Sequence, residues 1–161
     1  MGKGFVEYSE TVGKILANLQ ALELLLRRYL YDRSDPPCDP LERQLNDLAL
    51  GDAVPENPLT DWSTLGQLID RYNGRVAQLR PSLAVDMGVV AVRDALAHSR
   101  VWLPEWSAEP DAPPVLLKFT KPSAGVAKVS FMQVASSAWL ETRIRMLNGE
   151  IEKVVVAQRE L

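Results

Sequence analysis

The chain has 161 residues, 47% hydrophobic and 24% charged, with 18 basic against 21 acidic side chains and a formal net charge of −3. Those proportions belong to one globular domain with a buried core and exclude collagen-like, coiled-coil-only and wholly disordered chains. The slight acidity excludes a protein that coats nucleic acid by bulk charge, while leaving room for a local basic groove.

One cysteine, Cys38, and one histidine, His98, exclude an internal disulfide and a Cys/His zinc cage. No metal or cofactor is therefore expected. The opening MGKGFVEYSE has no apolar core long enough for a signal peptide, and Val6 stands where a myristoylation pattern needs Ser or Thr. The longest apolar runs, Val89–Val92 and Val154–Ala157, fall far short of the ~20 residues of a membrane span. A reduced, cytoplasmic chain without a membrane partner is the expectation.

In chain order, residues 8–31 form the strongest periodic segment. Val12, Ile15, Leu16, Leu19, Leu22, Leu26, Tyr29 and Leu30 recur at three- and four-residue steps, which predicts a long amphipathic helix. Residues 34–60 hold five prolines and read as a connecting loop around one short helix. Asp39 would cap that helix, Pro40 suits its first turn, Glu42 completes a capping pattern, Leu41, Leu45 and Leu48 line it, and Gly51 ends it.

A second long helix is predicted over 63–79, with Leu65, Leu68, Ile69, Tyr72, Val76 and Leu79 in its stripe; Gly66 and Gly74 weaken it. Pro81 suits the start of a third, running to His98 or Arg100 and apolar over Leu83, Met87, Val90 and Leu96. The proline-rich stretch 103–114 reads as a surface loop. Leu117 and Phe119 then alternate with Lys118 and Thr120, and Val129 and Phe131 with Lys128 and Ser130. With turn chemistry at 122–125, this predicts a β-hairpin. A last helix starts near Ser136, with Leu140, Ile144, Leu147, Ile151 and Val154 inward and a kink expected at Gly149. The expected architecture is a mainly all-α bundle of four to five helices over 1–161, with residues 103–135 as a loop and hairpin insertion.

Chemistry concentrates in Arg93-Asp94-Ala95-Leu96-Ala97-His98-Ser99-Arg100. Imidazole exchanges protons near neutral pH, and a guanidinium fork matches phosphate oxygens. Together they can position a phosphodiester, stabilise its charge and move a proton. Asp94 precedes His98 by four residues, so it shares a helix face and can orient the ring or anchor Arg93. At ~100° per residue, Arg93 and His98 point about 140° apart on a regular helix. Two copies meeting at a dimer axis would bring them to one groove, which makes a homodimer part of the expectation.

An arginine followed by a polar residue and, four residues on, by Ala97-His98, at the end of a central helix after a long first helix, resembles the HEPN family (higher eukaryotes and prokaryotes nucleotide-binding). The resemblance covers residues 8–100 and the last helix; the hairpin has no counterpart in it. It implies a helical dimer whose composite cleft cuts RNA without a metal, the ribose 2′-hydroxyl attacking the adjacent phosphate to leave a 2′,3′-cyclic phosphate. In that scheme His98 transfers protons, Arg93 holds the scissile phosphate and Asp94 orients its neighbours. Many members are toxins or phage-defence effectors, and others are non-catalytic partners. One branch pairs with an antitoxin that modifies a tyrosine two residues after the histidine; here that position is Arg100.

Arg71 and Arg75 share a helix face and, with Arg80, form a run without acids. They either track an RNA backbone, as Arg100 would, or form a solvated face. Arg27 and Arg28 carry the same two readings. Trp62, Trp102, Trp106 and Trp139 are expected in core or interface rather than stacked on bases. Cys38 lacks a neighbouring cation to make it a thiolate, and Asp32, Asp35, Asp39 and Glu42 read as a solvated acidic loop. Two other function classes compete with the nuclease: a helical dimerisation or binding module in which Arg93, Asp94 and His98 are structural, and a nucleotide sensor in which Arg93 and His98 hold phosphate.

Overall fold

Helical periodicity accounts for most of the described residues. A computed structural model describes residues 3–34, 48–103 and 112–160. Among these residues are four helices, α1 (Lys3–Asp32), α2 (Leu65–Val76), α3 (Gly88–His98) and α4 (Ser137–Glu160), and one antiparallel sheet of β1 (Arg100–Trp102), β2 (Val115–Phe119) and β3 (Val129–Val134) in that order. They group into two compact units, Met1–Gln20 with Met87–Gly149 and Ala21–Asp86 with Glu150–Leu161. The predicted helix over 39–51 falls mainly outside the described residues. Of its parts, Leu48 is exposed and Gly51 has a φ of +99°, a left-handed conformation that glycine adopts without strain.

The unit containing α3 takes its core from Tyr8, Ile15 and Leu19 of α1, Val89, Val92 and Ala95 of α3, and Leu140 and Leu147 of α4, all buried. Its sheet has three strands, not the two expected. Arg100↔Leu117, Val101↔Leu116 and Trp102↔Val115 add an edge strand that starts two residues after His98. β2 pairs β3 from Val115↔Val134 to Phe119↔Val129, with a bulge between Lys118 and Phe119. The inward residue of β2 is Leu116, buried at 1% exposure, so the alternation that marks the strand puts Leu117 and Phe119 on the outer side. The connection does turn at 123–126, where Ser123 and Val126 exchange two backbone hydrogen bonds of 3.0 Å around Ala124 and Gly125, both at positive φ.

The other unit buries Leu22, Leu26, Tyr29 and Leu30 of α1, five apolar residues of α2, and Val154 and Ala157 of α4. Each fully buried aliphatic side chain contributes about 1.5–3 kcal/mol of transfer free energy. Tyr29 and Tyr72 meet edge to face with centroids 4.8 Å apart. α2 is shorter than predicted at both ends. Thr64 starts it with a capping box, accepting from the Gln67 N–H while the Gln67 side chain accepts from the Thr64 N–H at 2.8 Å.

The third helix begins at Gly88, not Pro81. Pro81–Leu83 makes only a 3-10 turn, and the backbone of 83–86 is held by side chains instead. The Tyr72 hydroxyl donates to Leu83 C=O at 3.1 Å, Lys153 to Ala84 C=O at 3.1 Å, and Asp86 N–H to the buried Glu150 carboxylate at 3.0 Å. Lys153 also pairs with Glu150 at 2.9 Å, so that carboxylate is compensated. Leu16, expected inward on α1, is 44% exposed because the buried stripe is only as wide as its heptad positions. α4 runs unbroken through Gly149.

Candidate nucleotide-binding groove at the end of helix α3

Val89, Val92 and Ala95 turn one side of α3 into the core, which leaves Arg93, Asp94 and His98 outward. The guanidinium of Arg93 then closes the gap that helix geometry opens. Its Nη1 donates to Asp94 Oδ1 at 3.0 Å and reaches His98 Nε2 at 3.2 Å, with Asp94 Oδ1 4.0 Å from the same ring nitrogen. The long arginine stem sweeps the ~140° that separates the two positions. A second copy is therefore not needed to bring Arg93 and His98 together, contrary to the geometric expectation. In the Arg93–His98 contact the guanidinium is the donor, so the ring that fits is neutral with its proton on Nδ1. The three side chains are 40–56% exposed, open enough for a substrate to displace any of these bonds. In such a setting the Arg93–Asp94 ion pair contributes at most about 1 kcal/mol to stability.

α3 ends at His98 because Ser99 adopts an extended backbone and leads directly into β1. That junction makes His98 part of the lining of a groove of about 380 Å³, with Arg100, Leu117, Phe119, Thr120 and Pro122. Arg100 lies with its guanidinium carbon 5.2 Å from the centre of the Phe119 ring. Thr120 closes the end of the strand pair, its hydroxyl accepting from the Lys128 N–H at 3.0 Å. Leu117, Phe119 and Thr120 were not among the residues singled out from sequence. The signal for them is the hairpin alternation, which leaves open which face packs on the helices.

Arg71 and Arg75 belong to the other unit and are engaged there. Arg71 donates to Asp61 Oδ2 at 2.7 Å and to Ser63 Oγ at 3.0 Å, and Arg75 to Arg33 C=O at 2.7 Å. Arg27, whose side chain is 13% exposed, binds Asp61 Oδ1 at 2.9 Å and the carbonyls of Pro58, Asp61 and Ser63. Burial pushes the Asp61 carboxyl up, but hydrogen bonds from Arg71, Ser63 and Arg27 outweigh it and hold the group well below the usual carboxylate range. Arg28 pairs with Asp32 at 3.7 Å, and Arg80 with Glu160. Trp62 and Trp102 are exposed, contrary to their expected burial, and Trp139 is half-buried beside Arg143. Cys38, Asp35, Asp39, Glu42 and Trp106 lie outside the described residues.

Among the described residues, no three His, Cys, Asp or Glu side chains gather as a metal-binding group, and no helix is long and apolar enough to cross a membrane. No protein-family model, curated protein or solved structure matches this chain.

Proposed function

We propose that the chain is a HEPN-type endoribonuclease that cuts RNA without a metal, with His98, Arg93 and Asp94 as its reacting cluster. The observation that supports this most is the contact of Arg93 Nη1 with both Asp94 and His98, whose ring lines the groove. An arriving phosphate draws the guanidinium away from the ring, because a charged N–H···O⁻ contact is stronger than one to a neutral nitrogen. That frees Nε2 to take the proton of the ribose 2′-hydroxyl. The 2′-oxygen forms a bond to phosphorus, the bond to the 5′-oxygen of the next nucleotide breaks, and that oxygen takes a proton. The products are a 2′,3′-cyclic phosphate and a 5′-hydroxyl. Asp94 returns Arg93 to the ring afterwards. In a homodimer, as the resemblance implies, the second copy's cluster supplies the acid that protonates the leaving oxygen.

The test is cleavage of a mixed-sequence RNA in EDTA, with product ends analysed chemically. His98→Ala and Arg93→Ala are each expected to lose about 10²–10⁴-fold in rate while remaining folded. Cleavage at the wild-type rate by His98→Ala overturns the reading. A non-catalytic binding module is favoured by one observation, the compensation of Arg93 by Asp94; it predicts no cleavage of any RNA by the wild-type chain.

A further inference from the structure

The sheet that follows His98 has one face on the helices, through the buried Leu116, and the other in solvent. An outer face of an antiparallel sheet is ordinarily polar. Here cross-strand partners put Arg100, Leu117 and Met132 in one row and Trp102 and Val134 in the next, with Phe119 beyond the bulge. Met132 is 70% exposed, Trp102 60% and Phe119 40%. The chain carries −3 overall, yet residues 100–103 and 112–136 contain Arg100, Lys118, Lys121 and Lys128 and no Asp or Glu.

We infer that this outer face is a stacking platform for unpaired bases of a single-stranded RNA, with Phe119 and Trp102 as the planes and Arg100 as the cation for an intervening phosphate. The inference rests on the proposed nuclease reading for its choice of ligand and extends it to residues outside the reacting cluster. Charge decides between RNA and a second copy as occupant. A second copy laid on this face would bury Arg100 against the described residues 100–103 and 112–136, which hold no carboxylate, leaving its charge desolvated and unpaired. A nucleic acid brings one anion per nucleotide and flat apolar bases together, the combination an aromatic face with interspersed cations binds. The groove joins Arg100 and Phe119 to His98, so bases held on the sheet deliver their linkage to the imidazole. The bulge beside Phe119 is the kind of irregularity that re-aims a side chain at a site.

The experiment measures binding of a fluorescent single-stranded 2′-O-methyl RNA by anisotropy, since that strand has no free 2′-hydroxyl and cannot react. Phe119→Ala and Trp102→Ala are each expected to weaken binding about 5- to 100-fold, the range of one lost base stack. Arg100→Gln is expected to weaken it and to reduce the dependence on salt by about one ion. All three sites are exposed, and circular dichroism checks that the variants fold. Wild-type affinity in all three variants overturns the platform, as does absence of binding by the wild-type chain. So does sedimentation showing a dimer that these variants dissociate without any change in RNA affinity. An all-ribose strand separates this proposal from the nuclease: platform-dependent binding without cleavage keeps the platform and removes the nuclease. Cleavage with unaltered affinity in the three variants does the reverse.

Discussion

Asn73 clasps the backbone of Val85 with both halves of its amide. The Val85 N–H donates to Oδ1 at 2.8 Å, and Nδ2 donates to the Val85 carbonyl at 2.8 Å. Val85 is 3% exposed, so neither peptide group has water to fall back on. Asn73→Ala is expected to cost about 3 kcal/mol, from two buried groups left unpaired at about 1–3 kcal/mol each. Asn73→Asp keeps the acceptor and loses the donor, so it should fall between. Urea unfolding measures the cost, and hydrogen exchange at the Val85 amide locates it.

Asp61 sets an acid limit on stability. Its folded carboxyl lies below the ordinary range, so its contribution is complete above the unfolded value of ~3.9 and is lost as pH falls through that value toward the folded one. The thermal midpoint of the wild-type chain should therefore drop more steeply below about pH 4 than that of Asp61→Asn. At pH 7 the same variant should be about 2 kcal/mol less stable, having lost charged hydrogen bonds from Arg27 and Arg71. Parallel acid limbs in the two proteins would show that Asp61 does not govern the transition.

Two residues sit in conformations better suited to others, and the remedies run in opposite directions. Ala124 holds a φ of +50° beside Gly125 in the hairpin turn. Asn tolerates that region far better, and Asn-Gly is a favoured pair for such turns, so Ala124→Asn should gain about 0.5–1 kcal/mol. Gly74 lies in α2 with open space where a Cβ would project. Gly74→Ala should gain about 0.5–1 kcal/mol by restricting the unfolded chain. Each is expected to raise the thermal midpoint by about 1–4 °C.

His98 is 56% exposed in its side chain, which separates chemistry from architecture at this position. His98→Ala should shift stability by no more than about 0.5 kcal/mol, as exposed substitutions usually do. A larger loss in thermal melting would mean that the ring serves the fold. Asp94→Asn removes the charge that holds Arg93 and should loosen the Arg93–His98 contact, giving a smaller loss of cleavage than His98→Ala.

α1 and α4 were legible because their apolar residues recur over many turns, enough for a helical period to stand clear of chance. The start of α3 was not. What stops a helix at 84–87 is a set of side chains, Tyr72, Asn73, Glu150 and Lys153, that come from distant positions and satisfy the backbone there. β1 carries no sequence signal because three residues cannot display an alternation. The hairpin is legible from its alternation, but alternation alone does not say which face packs: Leu116 takes the core and Phe119 faces out. Arg93, Asp94 and His98 stood out by type and spacing alone. Their convergence within one chain depends on a flexible stem that angular arithmetic leaves out.

A single residue, Ser99, separates His98 from a strand whose pairing is fixed residue by residue. Deleting or inserting one amino acid between 99 and 102 would invert which side chains of β1 point outward, sending Arg100 to the far side of the sheet. The imidazole is thereby tied to the sheet's reading frame as firmly as to its own helix, and length at this joint should prove less forgiving than residue identity.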